Sequence, residues 1–498
     1  MLDAFRWLDE RIDVAGLRRA LLDRKMPSEL SWWHTLGSAT LTAFMVQVVT
    51  GVVLAMYYAP SPDHAYDSIR YLERGVMSGA LLRGMHHWGA SAMVVLVLAH
   101  MVRVFTMGAY KYPREINWLL GVALLFIVLG FGFTGYLLPW DQKAYWATAV
   151  GTNIAGTTPV VGGILVKLLR GGSQLGAATL ARFYALHVLL LPISLGAIVL
   201  VHIALVVRQG IAPRPHVLET GAPQRTDHPE YAAYYRTTYQ RSKSAGVPFW
   251  PQIVAKDLVV GAGVVLVIAL LAGIYGAGLE APADPTDASY VPHPEWYFLP
   301  FFELLKLVPG SMESVVAVGA PAAIVLALLL LPLFDRGSTR SLGQRPASRF
   351  GMFAILGGMA MLIGSSVREE APTAVAPEVG RPLTSVERAG RALFKRQQCG
   401  GCHAVGSEGG AEKGSDAPDL TEVGLRHSGA WLHSFLEQPE RFHPDTKMPA
   451  YGPPSLSHQE IEEITRYLAS LRGKNWATAT PEFRDTFPET DQRKERKP

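Results

Sequence analysis

Cysteine is almost absent from this 498-residue chain, which contains only Cys399 and Cys402. Two cysteines separated by two residues are too few for a disulfide framework, but they suit an attachment or ligand pair. Charged residues are also scarce, at 18%, whereas hydrophobic residues make up 49% of the chain. This balance is unusual for a soluble protein and indicates membrane-spanning helices.

The sequence also lacks a basic run or an arginine–aromatic stripe, and its net charge is only +4, which argues against a nucleic-acid-binding protein. The first 30 residues have six Lys and Arg residues and no apolar core, so we do not expect a secretory signal. Apolar residues from Leu2 to Ile12 recur at helical spacing. Residues 1–30 are therefore expected to form a helix in the membrane interface, or else a solvated N-terminal helix.

Seven long apolar stretches contain no Asp, Glu, Lys or Arg, and most of them reach the roughly 20 residues that a bilayer-crossing helix needs. The stretches are residues 30–62, 84–102, 116–140, 183–207, 258–279, 314–334 and 350–367. Seven such runs favour an all-α membrane protein over the buried helices of a soluble one.

Lys and Arg residues are distributed unevenly between the connections. The N-terminus and every second connection hold 20 of them, whereas the alternate connections hold 8. The positive-inside rule then assigns the N-terminus to the cytoplasm. After seven spans, everything beyond about residue 368 is expected on the outer side of the membrane.

Four histidines lie inside the apolar stretches, where ionisable side chains are rare and usually functional. His86 and His100 are 14 residues apart in the second span, and His187 and His202 are 15 apart in the fourth. At about 100° per residue, each pair lies broadly on one face of its helix, with about 21 Å between its members. Two facing helices would offer one imidazole pair near each membrane surface, which is typical of two axially ligated haems. Buried, hydrogen-bonded histidines are the alternative interpretation, and His87 competes with His86.

Glycines and arginines near these spans support a haem interpretation. Glycine allows a large flat group to approach a helix backbone, although it is also common in membrane helices generally. Two pairs of glycines, each 14 residues apart in the first and third spans, are Gly37 and Gly51, and Gly121 and Gly135. Arg83 and Arg103 bracket the second span, where they could pair with haem carboxylates or act as ordinary membrane anchors.

The two cysteines belong to the segment CGGCH at residues 399–403, and C-x-x-C-H is the attachment motif of c-type haem. The two thiols would form thioethers, and His403 would bind the iron. A zinc site would need more ligands, and there is no second cysteine pair. Met448, within DTKMPAYG, is the only methionine after residue 361 and is the predicted sixth ligand. Its competitors are His427, His433, His443 and His458.

The segments after the last span differ in composition. Residues 369–384 are rich in Ala, Pro and Val and are expected to be a linker. Residues 385–475 are predicted to form a small soluble domain, with helical patterns at 385–398 and 458–472. Residues 476–498 are predicted to be a polar tail.

Several segments resemble the cytochrome b of respiratory bc-type and plastid bf-type complexes. They are LLRGMHHWGASAMVVLVLAHMVRVF, FGFTGYLLPWDQKAYWATAV, RFYALHVLLLPISLGAIVLVH and HPEWYFLPFFELLKLVPG, the last with the family's PEWY signature. The resemblance covers about residues 1–367 and is closest to the plastid type, which divides the chain into two proteins. It implies a four-helix di-haem b bundle at 31–210, a cytoplasmic loop at 211–251 and a three-helix part at 252–368. The MPAYG context resembles class I cytochrome c.

The resemblance also implies roles for the membrane histidines. His86 and His187 would ligate an outer haem b, and His100 and His202 an inner one, both held non-covalently. Plastid-type proteins hold an extra haem through a cysteine at the position of Thr35. Because threonine cannot form a thioether, a third covalently attached membrane haem is not expected.

The PEWY segment implies an outer quinol site. In the family, the residue matching Glu295 takes a proton from quinol, with Tyr297 beside it, and Tyr145 and Trp146 would lie in the loop below the pocket. A carboxylate suits such a pocket because quinol oxidation releases protons. The alternative role for Glu295 is that of a helix N-cap.

The resemblance therefore implies a cytochrome b/c subunit of a proton-translocating quinol:cytochrome c oxidoreductase with bifurcated quinol oxidation. A Rieske iron–sulfur protein would be a partner, because the haem motif uses both cysteines. A soluble cytochrome c or similar acceptor, membrane lipid and a second copy of the complex are the other expected partners. The expected location is the bacterial cytoplasmic membrane, with the cytochrome c domain on the periplasmic side. The alternative is a di-haem membrane anchor that wires another dehydrogenase to the quinone pool.

Overall fold

The structure is a computed structural model that describes residues 2–285, 294–368, 383–397, 399–405, 408–409 and 417–473. It divides into two compact units, residues 1–366 and 367–498. The predicted tail at 476–498 and almost all of the predicted linker at 369–384 lie outside the described residues.

Within its described residues, the first unit contains seven helices that are long and apolar enough to cross a membrane. These spans are Trp32–Ala55, Gly79–Thr106, Glu115–Tyr136, Ala177–Gln209, Phe249–Tyr275, Met312–Phe334 and Pro346–Ser366. Their outward faces expose large apolar side chains such as Val49, Leu189 and Phe334, which a bilayer would cover. The prediction of an all-α, seven-span membrane protein is confirmed.

Regular helices in the first unit are α1 (Leu2–Ile12), α2 (Val14–Leu21), α3 (Leu36–Ala55), α4 (Ala65–Gly75), α5 (Gly79–Thr106), α6 (Glu115–Tyr136), α7 (Gln142–Gly156), α8 (Gly162–Arg170), α9 (Ala177–Ala185), α10 (Leu191–Gln209), α11 (Pro215–Glu219), α12 (Pro229–Ser244), α13 (Val254–Tyr275), α14 (Leu299–Lys306), α15 (Gly310–Phe334) and α16 (Pro346–Arg368). Short strands β1 (Lys25–Met26) and β2 (Val247–Pro248) pair antiparallel. Helix α5 is longer than the predicted 84–102 because Arg83 and Arg103 lie within its end turns.

The core of the first unit lies between α3, α5, α6 and α10. Helix α3 packs on α5, α13 packs on both, and α10 packs on α6. The buried apolar residues of this core are Ala43, Met93, Val94, Val97, Leu125, Val128 and Leu195. Met93 lies midway between His86 and His100 along α5, so this core separates the two histidine positions of the helix.

A wide turn interrupts the fourth span. Residues Leu186–Leu190 form a π-helical turn, in which the Leu191 amide donates to the Leu186 carbonyl five residues earlier. A π-turn holds one residue more than an α-turn, and such turns recur at functional sites. His187 lies inside it. The wide turn accounts for the 15-residue separation of His187 and His202, where α5 has 14.

Polar contacts join the four-helix and three-helix parts at the end of α15. Lys111 donates to an Asp335 carboxylate oxygen at 2.7 Å, Arg345 donates to the other at 3.1 Å, and the Tyr110 hydroxyl also donates to Asp335. Burial works against the charged carboxylate. The hydrogen bonds from Lys111 and Tyr110 outweigh it and hold the pKa of Asp335 below its usual range. We call these four residues the Asp335 cluster.

The second unit contains α17 (Ser385–Arg396), α18 (Val423–Arg426), α19 (Gly429–Glu437), α20 (Pro439–Phe442) and α21 (His458–Ser470), with a short antiparallel pair β3 (Ala404–Val405) and β4 (Glu408–Gly409). Helices α17 and α21 pack together closely, because a Cβ at Gly390 would collide with the Glu463 carbonyl. Capping boxes start both helices, Thr384 with Glu387 and Ser457 with Glu460. This is the small helical domain predicted after the linker.

Candidate haem and quinol sites

The four membrane histidines form two pairs. The ring centroids of His86 and His187 are 6.3 Å apart, and those of His100 and His202 are 6.5 Å apart. Metal–imidazole bonds of about 2.0 Å on both sides, plus roughly 1.1 Å from nitrogen to ring centre, would separate the ring centres of two imidazoles on one metal by about 6.2 Å. Both pairs therefore fit one iron each. The competing His87 instead contacts the ring of Trp88.

Hydrogen bonds fix the tautomer of the outer pair, His86 and His187. Each Nδ1 lies 2.9 Å from a threonine hydroxyl, that of Thr50 or Thr134. The two hydroxyls already donate to backbone carbonyls of their own helices, at 2.6 and 2.8 Å. The threonine oxygens must then accept from Nδ1–H, which leaves both Nε2 atoms without a proton and able to bind a metal.

Each predicted glycine faces one of the four histidines. A Cβ at Gly51 would lie 3.1 Å from Cε1 of His86, and one at Gly135 only 2.6 Å from Cε1 of His187. A Cβ at Gly37 would lie 3.3 Å from Cε1 of His100, and one at Gly121 4.0 Å from Cε1 of His202. The glycines thus divide into an outer and an inner set that match the histidine pairs.

The inner pair, His100 and His202, borders a cavity of about 380 Å³. Several buried nitrogen atoms on its wall have no hydrogen-bond partner among the described residues. They are Nε and Nη2 of Arg103 and Nη1 of Arg114. Buried arginine donors without partners suit the carboxylates of a haem. Thr35 lies on the same wall, and its hydroxyl donates to the Trp32 carbonyl at 2.6 Å.

Arg83 has a different environment from Arg103. Its guanidinium pairs with Glu73 and donates to the carbonyls of Ala277 and Gly278 at 2.8 and 2.6 Å. These bonds tie α4 and α5 to the segment that follows α13. The role of Arg83 toward a haem carboxylate stays a prediction. In the structure, the Arg83 guanidinium connects neighbouring segments of the chain.

The Glu295 carboxylate pairs with Lys143, whose Nζ lies 2.6 Å from Oε1. Lys143 is the second residue of α7, in the PWDQKAYWA segment. The Asp141 side chain caps α7 by accepting from the Ala144 amide at 2.9 Å and also accepts from the Glu280 amide at 3.1 Å. The helix start is therefore held against the segment that leads towards Glu295. Sequence reasoning missed Lys143, although it is the lone basic residue of that segment.

Tyr297 lies deep beside α6. Its ring contacts those of Trp296 and Phe298 at 5.4 and 4.8 Å between centroids, and a Cβ at Gly132 would lie 2.7 Å from its hydroxyl oxygen. Burial first, and the Glu295 carboxylate second, raise the pKa of Tyr297 far above its ordinary value. Tyr297 is therefore a neutral hydroxyl. Gly132 precedes Gly135 by one helical turn, which brings PEWY to the level of the outer histidine pair.

The predicted pocket residues Tyr145 and Trp146 follow Lys143 on α7. The Tyr145 ring contacts those of Trp140 and Trp146 at 5.8 and 5.4 Å. The Trp146 indole N–H is buried and has no hydrogen-bond partner among the described residues. Helix α7 thus presents a cation and an aromatic cluster next to the PEWY segment.

The CGGCH segment has the local geometry of a haem attachment site. His403 Nδ1 lies 2.8 Å from the Pro418 carbonyl oxygen, which can only accept, so Nδ1 carries the proton and Nε2 is left for iron. Cys399 and Met448 pack against one apolar core, together with Tyr451. Burial raises the pKa of the Cys399 thiol, whereas Cys402 is exposed.

The histidines that compete with Met448 all have other neighbours. The His427 ring stacks on Trp431 at 3.6 Å, and the His443 ring contacts Phe435. His433 and His458 both lie within 4 Å of the Glu437 carboxylate, at 3.8 and 3.3 Å. Met448 therefore stays the predicted sixth ligand.

Three family models match the chain. "Cytochrome b/b6/petB" matches residues 21–210, "Cytochrome b(C-terminal)/b6/petD" matches 282–383 and "Cytochrome c" matches 387–472. Together they cover the four-helix bundle, the PEWY segment with the last helices, and the soluble domain.

Curated relatives agree with these matches. The "Menaquinol:cytochrome c reductase cytochrome b subunit" of Bacillus subtilis (strain 168) is 43% identical over 42% of this chain and 96% of its own length. The "Cytochrome b" of Rickettsia bellii is 33% identical over 73% of this chain and 86% of its own. The "Cytochrome b/c1" of Bradyrhizobium diazoefficiens is 33% identical over 76% of this chain and 52% of its own.

A solved structure shares the fold. A chain of a "Hyperthermophilic respiratory Complex III" superposes with a TM-score of 0.62 at 29% identity, covering 74% of this chain and 92% of that one.

Proposed function

Because the chain belongs to the cytochrome b/b6 family and continues into a cytochrome c domain, we propose that it oxidises quinol at an outer site and sends the two electrons along separate routes. The chain is a multi-pass cytochrome b/c subunit of a quinol:cytochrome c reductase, an oxidoreductase of electron transport. One electron crosses the membrane, and the other reaches the cytochrome c domain through an iron–sulfur partner. The outcome is charge separation with proton release outside.

One observation carries the proposal: two opposed imidazole pairs lie in the same helix bundle, and PEWY lies at the level of one pair. A quinol site at one pair and a second pair farther along the bundle suit transfer across the membrane. A passive anchor would have no use for the Glu295–Lys143 pair beside the outer level.

The cytochrome b and c domains imply both haem types, and the residues present fit them. We assign His86 and His187 to one haem b, and His100 and His202 to the other. In the second unit, Cys399 and Cys402 would hold haem c covalently, with His403 and Met448 as its ligands. When bound, these groups supply one-electron carriers for both routes.

The chain's own residues handle the protons of quinol. The Glu295 carboxylate accepts a proton from one hydroxyl, while the neutral Tyr297 hydroxyl provides a hydrogen-bond donor or acceptor to the ring oxygen. Trp146 and Tyr145 form an aromatic wall below the pocket. Together they keep water from the reacting atoms and orient the substrate.

Partners follow from what the chain carries. The CGGCH motif uses both cysteines, so an iron–sulfur cluster must come from a separate Rieske protein. A soluble cytochrome c or similar acceptor would take electrons from the cytochrome c domain, and the complex would be a dimer. The proposed location is the bacterial cytoplasmic membrane. The Lys and Arg asymmetry, 20 against 8, supports an orientation with the cytochrome c domain outside.

The test uses the purified complex with its inner quinone site blocked. Quinol is added, a pulse of oxidant follows, and the b-haem absorbance is recorded. We expect the b haems to become more reduced when oxidant arrives, because removal of one electron from quinol forces the second into the membrane route. If oxidant instead oxidises all haems together, the chain is a linear wire and the proposal fails.

A further inference from the structure

We propose that Lys143 is a positioning residue for quinol oxidation, which holds the Glu295 carboxylate in the orientation that accepts the quinol proton and releases it afterwards. The inference rests on the proposed function and adds a residue to its outer site. It concerns the pair of Lys143 on α7 with Glu295 of the PEWY segment.

The pair is close and only partly exposed. Nζ of Lys143 lies 2.6 Å from Oε1 of Glu295, and the two side chains are 30% and 16% exposed. Fully exposed ion pairs contribute little because water screens them. A pair this sheltered keeps more of its attraction, so it can fix the direction of a carboxylate.

The position of Lys143 is poor for the helix on which it lies. It occupies the first turn of α7, where the helix dipole disfavours a cation. Two hydrogen bonds hold this turn against residues 280–281. The Gln142 amide donates to the Ala281 carbonyl at 2.9 Å, and the Asp141 carboxylate accepts from the Glu280 amide. The local helix therefore gives no reason for a lysine here, whereas the carboxylate of Glu295 does.

Other groups around Glu295 do not replace this cation. Tyr136 and Tyr297 both lie within electrostatic range of the carboxylate, but neither side chain is a cation. His87 also faces it, and Arg83, which faces His87, is already bonded to Glu73. Within the described part of the chain, Lys143 is the cation in hydrogen-bond contact with Glu295.

The geometry suggests a sequence of events. Lys143 donates to Oε1, which leaves Oε2 as the oxygen that accepts the proton. When the iron–sulfur partner takes the first electron from quinol, one O–H bond breaks and its proton joins Oε2. The one-electron-oxidised substrate then gives its second electron to the membrane route and its remaining proton to the outer water. The neutral carboxyl no longer attracts the ammonium, so the pair loosens and the carboxyl can turn with its proton towards the partly exposed side where Lys143 meets water.

The test compares Lys143→Met, Lys143→Gln and Lys143→Arg with the parent complex in steady-state quinol oxidation. Without the ammonium, the carboxylate is misplaced, and misplacement of a reacting group costs about 10- to 100-fold in rate. We expect both neutral variants to lose about tenfold or more in kcat with KM changed less than about twofold, and Lys143→Arg to retain most activity. Lys167→Met, which removes an exposed lysine on α8, is the matched control and should leave kcat unchanged.

A second arm places Lys143→Met in a Glu295→Gln background. If Lys143 acts through Glu295, the added change lowers kcat by less than about twofold, since the two effects are not additive. The b-haem spectrum is recorded for every variant and should stay unchanged, which separates positioning from a structural loss.

Three results would overturn the inference: full kcat in both neutral variants, an equal loss from Lys143→Met with and without Glu295→Gln, or no loss from Glu295→Gln itself. Failure of the proposed function has a different signature, because it shows in the parent complex as oxidation of all haems by the oxidant pulse. The two ideas can therefore fail separately.

Discussion

The outer and inner histidine pairs are built differently, although the same helices carry both. Thr50 and Thr134 hold the outer imidazoles by their Nδ1 atoms. In the inner pair, His202 lies beside the Asn117 backbone instead of a threonine hydroxyl. The pair also borders a cavity whose arginine nitrogens have no hydrogen-bond partner among the described residues. The outer imidazoles are thus held by side-chain hydroxyls, whereas the inner pair lies beside cationic side chains that have unpartnered donors.

The difference indicates how each site would be tuned. Hydrogen bonds to ligating histidines change the basicity of the ligand and its orientation. Arginines that bond a haem carboxylate act on the charge of the whole group. We therefore expect the outer site to respond most to changes of neutral hydroxyls and glycines, and the inner site to changes of charge.

Loss of a ligand should have the largest effect. His187→Leu and His202→Leu each remove one imidazole of a pair, and we expect each to remove one of the two b haems. Redox titration of the purified variants identifies which haem is lost. Retention of both haems in either variant would show that the pairs are not the ligand sets.

Removal of the inner charge should come next. Arg103→Gln loses donors to a haem carboxylate, and hydrogen bonds to charged groups contribute about 1.5–3 kcal/mol. We expect weaker binding or a shifted potential of the inner haem alone. Arg83→Gln is the matched control, because Arg83 bonds Glu73 and two carbonyls. The control should lower thermal stability and leave the binding and potential of the inner haem unchanged. If both variants changed the inner haem equally, the assignment of Arg103 to that haem would be wrong.

Glycine substitutions should distinguish the two sites by distance. A Cβ at Gly135 lies 2.6 Å from the His187 ring, whereas one at Gly121 lies 4.0 Å from the His202 ring. Overpacking of this kind costs about 1–3 kcal/mol. We expect Gly135→Ala to reduce outer-haem content in optical spectra more than Gly121→Ala reduces inner-haem content. A larger loss of haem from Gly121→Ala than from Gly135→Ala would contradict the division of the glycines into an outer and an inner set.

The smallest effect is expected from Thr134→Val, which keeps the shape but removes the Nδ1 partner of His187. Loss of such a partner typically costs about 10-fold in affinity for the metal group, so a modest shift in the outer-haem potential is expected in a redox titration. Thr42→Val, on α3, is the control, because it removes a hydroxyl that donates to the Ser38 carbonyl and, among the described residues, contacts no histidine nitrogen. An equal shift from that control would mean that the histidine contact is irrelevant.

Much of the fold could be predicted from local patterns. Seven apolar stretches and the histidine spacing led to the spans and to the pairs, because both depend on helical repetition. The 15-residue spacing of His187 and His202 could not be understood that way. In a regular α-helix, separations of 14 and 15 residues place the second histidine at different angles around the helix axis. A π-turn accommodates the extra residue of the fourth span, and no sequence pattern indicated that turn.

Contacts between distant segments were the harder part. Lys143 and Glu295 are 152 residues apart, and nothing local to either residue indicates the pair. Arg83 and Arg103 look alike in sequence, since each lies at one end of the same helix. Only the packing of α4 and α13 around Arg83 separates them, because it supplies carbonyls and a carboxylate to one arginine and not to the other.

The Asp335 cluster has a consequence for how the chain could be made. Its bonds, together with those of the Arg340 and Ser341 amides to Glu219, hold the end of α15 against the segments after α5 and α11 through side chains rather than through the peptide link. Continuity of the backbone near Gly221, between α11 and α12, therefore adds little to that attachment. Two polypeptides translated separately from either side of Gly221 are expected to associate. The single reading frame would then ensure that the two parts are made in equal amounts, whereas the side-chain contacts hold them together.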